Sequence, residues 1–329
     1  MALPGMGQRL AEPAGNIRRV QQPAPAPAAG FQPTREIDFL VMAGEGGGAD
    51  LAARFLAKLI EGKRWSPVAI RIVNRPGRSG LDALVDLAKR VGDPHVLLFT
   101  LNSFYTAPLG EGGAGLDVAA FTPIGRLAED NFLLWVASSR AEIVSLETFV
   151  EVARRAGKDW IMGGTGRDSE DQLLCDFLNV SYDLKMSYKS YGGGGEVARA
   201  LADGTVHSTV NNPSETRKQV AERQVKPLVS FSASRLPEYR TVPTLRETGM
   251  SFTYQMQRSV VAPARLAPAV QAYYTELFGM LYDSLEWQTY RRANSLYGSF
   301  LTGADLTRYW SLEREKHKRW LAAMKAMRA

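Results

Sequence analysis

The feature that most constrains the fold is a short apolar run followed by a glycine-rich turn and an amphipathic helix. The first copy has its apolar run at 37–43 and its turn at 44–48, before a helix predicted to begin at Asp50. The second copy has its glycines within 163–166, before a helix predicted near Asp168. Glycine lets the backbone approach a ligand closely, and a helix N-terminus offers unpaired N–H groups with a partial positive charge. Two such turns predict a site that holds a small molecule from two sides.

Short β-rich runs alternate with helical patterns along the chain, which predicts an α/β fold with parallel sheets covered on both faces. Ligands in such sheets bind beyond the carboxyl ends of the strands, where the glycine turns lie. A third glycine run, at 192–195, is a looser copy of the same pattern ahead of a predicted helix, with a flexible loop as the alternative. The predicted strands are 37–43, 68–74, 96–100, 132–137, 160–162, 205–211, 226–231 and 256–262. The predicted helices are 50–61, 81–90, 146–156, 169–178, 196–202, 267–284, 286–294 and 302–327.

Composition allows two lobes with cores of their own, because the chain has 329 residues, 45% hydrophobic and 22% charged. The net charge is +6, and basic residues gather in the C-terminal segment 302–329. A basic patch can bind nucleic acid, but no nucleic-acid motif accompanies this one. Leu306, Trp310 and Trp320 recur at helical spacing. We therefore predict a packed terminal helix with a solvated basic face, and no nucleic-acid partner.

Cysteine and histidine usage excludes several kinds of site. Cys175 is the single cysteine, so a disulfide framework and a cysteine metal site are both excluded. His95, His207 and His317 lie far apart without metal-ligand spacing, so we predict neither a metal nor a cofactor. No apolar run approaches about 18 residues, so we also predict no transmembrane segment.

The first turn also matches a dinucleotide-binding pattern, because GEGGGA at 44–49 fits G-x-G-x-x-A between a strand and a helix. A dinucleotide site requires an acidic residue at the end of the second strand to bind the ribose. This chain has Asn74 and Arg75 there. Only an NADP-type site remains compatible with those residues. An NADP-dependent oxidoreductase is therefore an alternative prediction.

Several ordered motifs together are more specific than one glycine turn. They are MAGEGGGAD at 42–50, NRPGRSG at 74–80, YKSYGGGGEVARALADGTVH at 188–207, SASRLPEYRTVPTLRETG at 232–249 and MQRSVVAPARLAP at 256–268. Over about residues 35–329 the sequence resembles the periplasmic solute-binding proteins of tripartite tricarboxylate transporters, the TctC or Bug family.

This resemblance implies a two-lobe, periplasmic-binding-protein-like α/β fold with a ligand cleft between the lobes. Lobe one is expected to comprise 37–130 and 257–329, and lobe two 131–256. The implied function is capture of a small polar organic molecule for membrane permease subunits of the tripartite type, without catalysis. A member that has lost its ligand and acts as an interaction subunit is a further alternative.

Residues 1–36 form an Ala/Pro-rich stretch that favours an extended tether. Its first residues contain no long apolar segment typical of a signal peptide. Together with the resemblance, this predicts a periplasmic protein whose precursor carries a signal that is absent from this chain.

The resemblance places the ligand between the first loop, 44–50, and a second loop, 164–171. Polar residues that follow the predicted strands 96–100 and 205–211 are further candidates, with turn formation as the alternative role. The predicted ligand-binding residues are Gly44, Glu45, Gly46, Gly47, Gly48, Asn102, Ser103, Thr165, Gly166, Arg167, Asp168, Ser169, Asn211 and Asn212.

The two loops carry more acidic residues than the family pattern implies. Asp50 and the pair Asp168 and Asp171 fit helix caps. Glu45 and Glu170 do not fit caps as easily, and an inward-pointing Glu45 is expected to repel a ligand carboxylate. The sequence therefore predicts a neutral or cationic ligand, or a carboxylate bridged by a metal ion. The alternative is that Glu45 points to solvent while Arg167 supplies a compensating charge.

Overall fold

Two five-stranded sheets with helices on both faces organise the chain. The computed structural model describes residues 30–109, 115–167 and 169–328. The strands are β1 (Ile37–Val41), β2 (Ile70–Asn74), β3 (Val96–Thr100), β4 (Thr122–Asn131), β5 (Leu133–Ala137), β6 (Ile161–Thr165), β7 (Ser187–Tyr191), β8 (Ser208–Thr209), β9 (Val225–Ser230) and β10 (Gln255–Ala262). The helices are α1 (Gly48–Lys63), α2 (Leu81–Ala88), α3 (Ser103–Thr106), α4 (Leu146–Ala156), α5 (Glu170–Ser181), α6 (Gly194–Ala202), α7 (Pro213–Ala221), α8 (Pro268–Asp283), α9 (Leu285–Ala293) and α10 (Gly303–Arg328).

The predicted α/β class is confirmed, but both sheets are mixed rather than parallel. The first has the order β2-β1-β3-β10-β4, with β1 parallel to β2 and β3 and with β10 antiparallel to β3 and β4. The second has the order β7-β6-β8-β5-β9, with β6 parallel to β7 and β8 and with β5 antiparallel to β8 and β9. The antiparallel strands β5 and β10 are those that the chain enters on crossing from the opposite sheet. No crossover helix precedes them to restore the parallel direction.

Alternating residues of the first sheet supply two separate cores. Phe39 and Phe99 pack with Phe278 of α8 on one face, whereas Leu40 and Leu98 face α2 and α10. Burying each such side chain contributes about 1.5–3 kcal/mol relative to exposure. We call this sheet and the helices that cover it the first lobe.

The second sheet is buried in the same way. Leu134 and Val136 pack against α4 and α5, and Leu133 and Trp135 face Leu201 of α6. We call this sheet and its helices the second lobe. The expectation that helices cover both faces of each sheet is therefore confirmed.

Two chain segments cross between the sheets side by side. The first crossing is the single residue Phe132 between β4 and β5, and the second is 231–254 between β9 and β10. The Phe231 N–H donates to the Phe132 carbonyl at 3.0 Å, and the Tyr254 N–H donates to the Phe231 carbonyl at 2.8 Å. These backbone hydrogen bonds join the two crossing segments.

Strands β4 and β7 are absent from the predicted set. β4 carries charged residues and pairs with β10, far away in the sequence, so its local pattern gives no strand signal. β7 is the polar edge strand SYKSY. Conversely, the predicted strand 205–211 shrinks to β8. Helix α1 begins at Gly48 rather than Asp50, and α5 begins at Glu170 after Ser169.

Both ends of the described chain pack on the lobes. Phe31 contacts Tyr273 edge-on with ring centroids 5.5 Å apart, and the Thr34 N–H donates to His95 Nε2 at 3.0 Å. These contacts fall within the predicted tether, whose remaining residues 1–29 lie outside the described residues. At the other end, α10 buries Trp310 and His317, as the packed-helix interpretation predicts. None of the described helices combines the length and apolar character needed to cross a membrane.

Candidate ligand-binding cleft

A cavity of about 290 Å³ lies between the two lobes, next to the carboxyl ends of β1, β6 and β7. Small-molecule sites are typically concave and of this order of size. The predicted site residues on its wall are Gly44, Gly47, Gly48, Thr165, Gly166, Ser169 and Asn212. The first and second loops, which belong to different lobes, therefore meet at one cavity.

Asp50 holds the first loop in shape. Its Oδ2 accepts the Gly46 N–H at 2.9 Å, while its Oδ1 accepts Nε of Arg54 and Nδ2 of Asn74, each at 2.9 Å. Burial opposes ionisation of this carboxyl, but the hydrogen bonds from Arg54, Gly46 and Asn74 keep its pKa below the usual value. The predicted capping role is therefore wrong: Gly47 is the N-cap residue, and Asp50, the third residue of α1, instead holds the loop ahead of the helix.

The third glycine run, the looser copy of the pattern, also reaches the cavity. Gly192, Gly193 and Gly194 lie on the wall. A Cβ on Gly44 would overlap the carbonyl oxygen of Gly192, so the backbones of the two lobes touch there. This run was recognisable from its strand–glycine–helix pattern, which repeats that of the first two copies.

Arg258 is a site residue that the sequence did not single out. It lies on β10, is 1% exposed and lines the cavity. Its Nε donates to Asp130 Oδ2 at 3.1 Å, and its terminal nitrogen donates to the same oxygen and to Asn212 Oδ1. Burial raises the pKa of Asp130 to about 6, which is still below neutral pH. The two residues therefore form a buried ion pair at pH 7.

Two adjacent acids at the start of α5 also line the cavity. Glu170 Oε1 accepts the Ser103 N–H of the other lobe at 2.6 Å. Asp171 Oδ2 accepts the Thr165 N–H at 2.7 Å and the Thr165 hydroxyl at 3.0 Å. Burial raises the pKa of Glu170 and, with the nearby charge of Glu215, raises that of Asp171 to about 8. Asp171 consequently keeps its proton at neutral pH.

Glu215, near the start of α7, is the third acid on the wall and was not among the predicted residues. Its Oε1 accepts the Gly48 N–H at 2.9 Å across the cleft. Its Oε2 accepts Nδ2 of Asn211 at 2.8 Å and the N–H of Asn212 at 3.1 Å. Asn211 thus supports the wall from behind, and the two lobes are linked through one carboxylate.

Several predicted residues lie away from the cavity. Glu45 has an 81% exposed side chain whose nearest cation is Arg54 at 3.7 Å, so the inward-pointing hypothesis is wrong. The neighbouring Gly46 is also exposed. The side chain of Arg167 is exposed too, and only its carbonyl contacts the other lobe, through the Ser79 hydroxyl.

The candidates after β3 are buried in protein contacts. Asn102 Nδ2 donates to the Gln255 carbonyl at 2.8 Å, and Ser103 contacts Glu170 only through its backbone N–H. Asp168 lies outside the described residues. Among the residues that are described, no cluster of three or more His, Cys, Asp or Glu side chains is arranged to hold a metal ion.

Comparison with known proteins decides the family. The model of the tripartite tricarboxylate transporter family receptor, TctC, matches residues 53–284. The chain belongs to this family. Protein BugT of Bordetella pertussis is 23% identical over 244 residues, which cover 72% of this chain and 73% of BugT. A UPF0065 protein in the gbd 5′ region of Cupriavidus necator is 24% identical over 248 residues, covering 75% of this chain and 74% of that protein.

Solved structures share the fold. Rpa4515 of R. palustris, solved with adipate, has a TM-score of 0.82 at 23% identity, covering 90% of this chain and 99% of that one. The periplasmic binding protein BugD has a TM-score of 0.80 at 18% identity, with coverages of 90% and 98%. MatC of Rhodopseudomonas palustris, with bound malate, has a TM-score of 0.77 at 21% identity, with coverages of 89% and 99%.

Together these matches confirm the two-lobe binding-protein fold and the assignment to a family of solute-binding receptors. They give no support to the oxidoreductase alternative. The residue at the end of β2, where a dinucleotide site has an acid for the ribose, is Asn74. Its side chain donates to Asp50 and to the Ala43 carbonyl.

The contact between the glycine loops generates a first prediction. We expect Gly44→Ala to hold the lobes apart, because its Cβ would overlap the Gly192 carbonyl oxygen. Small-angle X-ray scattering should then give a larger radius of gyration than for the parent protein. Gly47→Ala is the matched control, because its Cβ would meet its nearest atom at 3.4 Å, an ordinary contact. Identical scattering from the parent and both variants would contradict the loop contact.

The raised pKa of Asp171 generates a second prediction. The folded protein keeps this proton until about pH 8, whereas an unfolded aspartate loses it near about 3.9. The resulting stabilisation is complete below the unfolded pKa and is lost as the pH rises towards 8. In Asp171→Asn, the free energy of unfolding should therefore fall less steeply between pH 5 and 8, by up to about 1 kcal/mol per pH unit.

Urea titrations at several pH values measure this slope. Asp305→Asn is the control, because it removes a carboxylate whose side chain is 70% exposed. Parallel stability curves for the parent protein and Asp171→Asn would show that Asp171 titrates normally.

Proposed function

We propose that this protein captures a small, neutral or cationic polar organic molecule between its lobes for a tripartite tricarboxylate-type transporter. The observation that carries the proposal is the charge of the cavity wall. Glu170 and Glu215 line it beside Asp171, which keeps its proton. The one cation among its described lining residues, Arg258, is already paired with Asp130. A wall of this kind favours ligands that donate hydrogen bonds and bring no negative charge.

The magnitudes favour this ligand class. A ligand carboxylate about 4 Å from one carboxylate of the protein is repelled by roughly 4 kcal/mol at an effective dielectric constant near 20. Each helix N-terminus returns only about 0.3–2 kcal/mol, and the backbone N–H groups at the starts of α1 and α7 already donate to Glu215. The acid that matters is not Glu45, as the sequence suggested, but Glu215, with Glu170 beside the same cavity. An amine, amide or hydroxyl group of the ligand instead gains acceptors from these side chains.

The uncharged part of the wall supports a small polar solute as well. Tyr191 lines the cavity, and its buried hydroxyl has no hydrogen-bond partner among the described residues. Met42, Leu101 and Met256 supply apolar surface. A solute with a short carbon skeleton and several hydroxyl or nitrogen groups suits both halves of this wall.

The ligands of two related structures differ in charge from the ligand that we propose. Rpa4515 was solved with adipate and MatC with malate, which are both dicarboxylates. We propose that this chain keeps their lobe arrangement and differs in ligand charge. We retain the predicted lobe division, 37–130 with 257–329 against 131–256.

We further propose that the protein acts by binding alone. Closure of the lobes on the solute shifts the population towards a shape that the permease subunits recognise. The family and its periplasmic relatives support a periplasmic location for the mature protein. Neither metal nor cofactor is part of this account.

A ligand panel at pH 7 tests the proposed ligand class. We expect amines, amides or polyols to include a binder that raises the melting temperature and gives a calorimetric isotherm. Malate and adipate should bind the parent protein about 100-fold more weakly than that binder. Glu45→Gln is the control, because it removes a negative charge outside the cavity and should leave every affinity unchanged. Metal-free, micromolar binding of malate or adipate to the parent protein would overturn the proposed charge.

A further inference from the structure

Glu215 occupies a place built for an anion. Its carboxylate accepts the N–H groups of Gly48 and Asn212 and the side-chain amide of Asn211. These partners are all donors, and two of them are backbone groups at the start of α1 and α7. Backbone N–H groups at helix N-termini, with the helix dipole behind them, form ready anion sites.

A third helix start closes around the same carboxylate. A Cβ on Gly194, the first residue of α6, would overlap the carboxyl carbon of Glu215. A Cβ on Gly47 would lie 3.8 Å from Glu215 Oε1. A Cβ on Gly194 would therefore displace the carboxylate, whereas one on Gly47 would make an ordinary contact with it. The carboxylate lies where the starts of α1, α6 and α7 converge.

The contact also joins the two lobes. Gly48 belongs to the first lobe and Glu215 to the second, and 167 positions separate them in the sequence. The chain therefore places one of its own carboxylates between the lobes, at the wall of the cavity.

We propose that Glu215 is the specificity-determining residue of the cleft and fills an anion subsite that would otherwise hold a ligand carboxylate. This inference rests on the proposed function and deepens it, because it names the side chain that excludes anionic solutes. Removing the carboxylate leaves the converging N–H groups without their acceptor, and an external carboxylate can then satisfy them.

The experiment is a gain of binding in Glu215→Ala. Calorimetry at pH 7 with malate, adipate and acetate should show at least one carboxylate binding about 100-fold more tightly to the variant than to the parent. Glu45→Gln serves as the charge-matched control and should show no gain. Circular dichroism and urea titration establish that each variant is folded. Should Glu215→Ala not fold, Glu215→Ser, whose short side chain also leaves the subsite empty, takes its place.

A measurement on the unmodified protein keeps the inference testable even if neither variant folds. The Gly48 amide should exchange slowly in the closed protein, purified from its host with its solute retained, because Glu215 holds it there. Exchange of this amide at the rate of an exposed loop would overturn the inference.

The outcomes separate this inference from the proposed function. A folded variant that gains no carboxylate affinity overturns the role of Glu215, while a neutral or cationic ligand for the parent still supports the proposed function. Tight carboxylate binding by the parent protein overturns both.

Discussion

The close approach of backbone from both lobes is the constraint on which the cleft depends. Gly44 meets Gly192 of the other lobe at a separation that admits no Cβ, and within the second lobe a Cβ on Gly194 would overlap the carboxylate of Glu215. Glycine loses more conformational entropy on folding than any other residue. Its use at these positions is a structural requirement, because a larger residue would not fit there. With these contacts made, the starts of α1, α6 and α7 converge on one side of the cavity.

Charge is the second determinant of the site. Each ionisable group on or behind the wall is paired, protonated or hydrogen-bonded, because an unpaired buried charge is costly. Arg258 and Asp130 neutralise each other in the interior, and loss of either partner alone would leave a buried charge at a cost of about 3–5 kcal/mol. Asp171 avoids this penalty by keeping its proton. Glu215 avoids it by accepting three hydrogen bonds. This charge arrangement is the basis of the proposed exclusion of anionic solutes, in a fold shared with proteins solved with dicarboxylates.

The local parts of this architecture could be predicted from the sequence. An apolar run, glycines and a helical pattern suffice for β1 and α1, and the ordered motifs suffice for the family. Seven of the predicted site residues line the cavity, because the glycine turns follow directly from strand ends. The sequence left open whether Glu45 points into the cleft or to solvent, because a local pattern does not fix the direction of a loop side chain; the structure shows it exposed.

Long-range features escaped prediction for a physical reason. Arg258 sits in a strand whose pattern indicates only burial, and its partner Asp130 lies on β4, which is stabilised by pairing with β10. Glu215 follows a proline at a helix start and looks locally like the third residue of a capping box, which it also is. Its contact with Gly48 forms only because the first and second lobes meet in the folded chain. No local sequence pattern predicts the distance between Gly48 and Glu215.

The most direct test of the central claim is native mass spectrometry of protein purified from its host without added ligand, followed by identification of the released solute. The account predicts one small molecule per protein, neutral or positively charged in solution at pH 7. Release of a stoichiometric di- or tricarboxylate would contradict it.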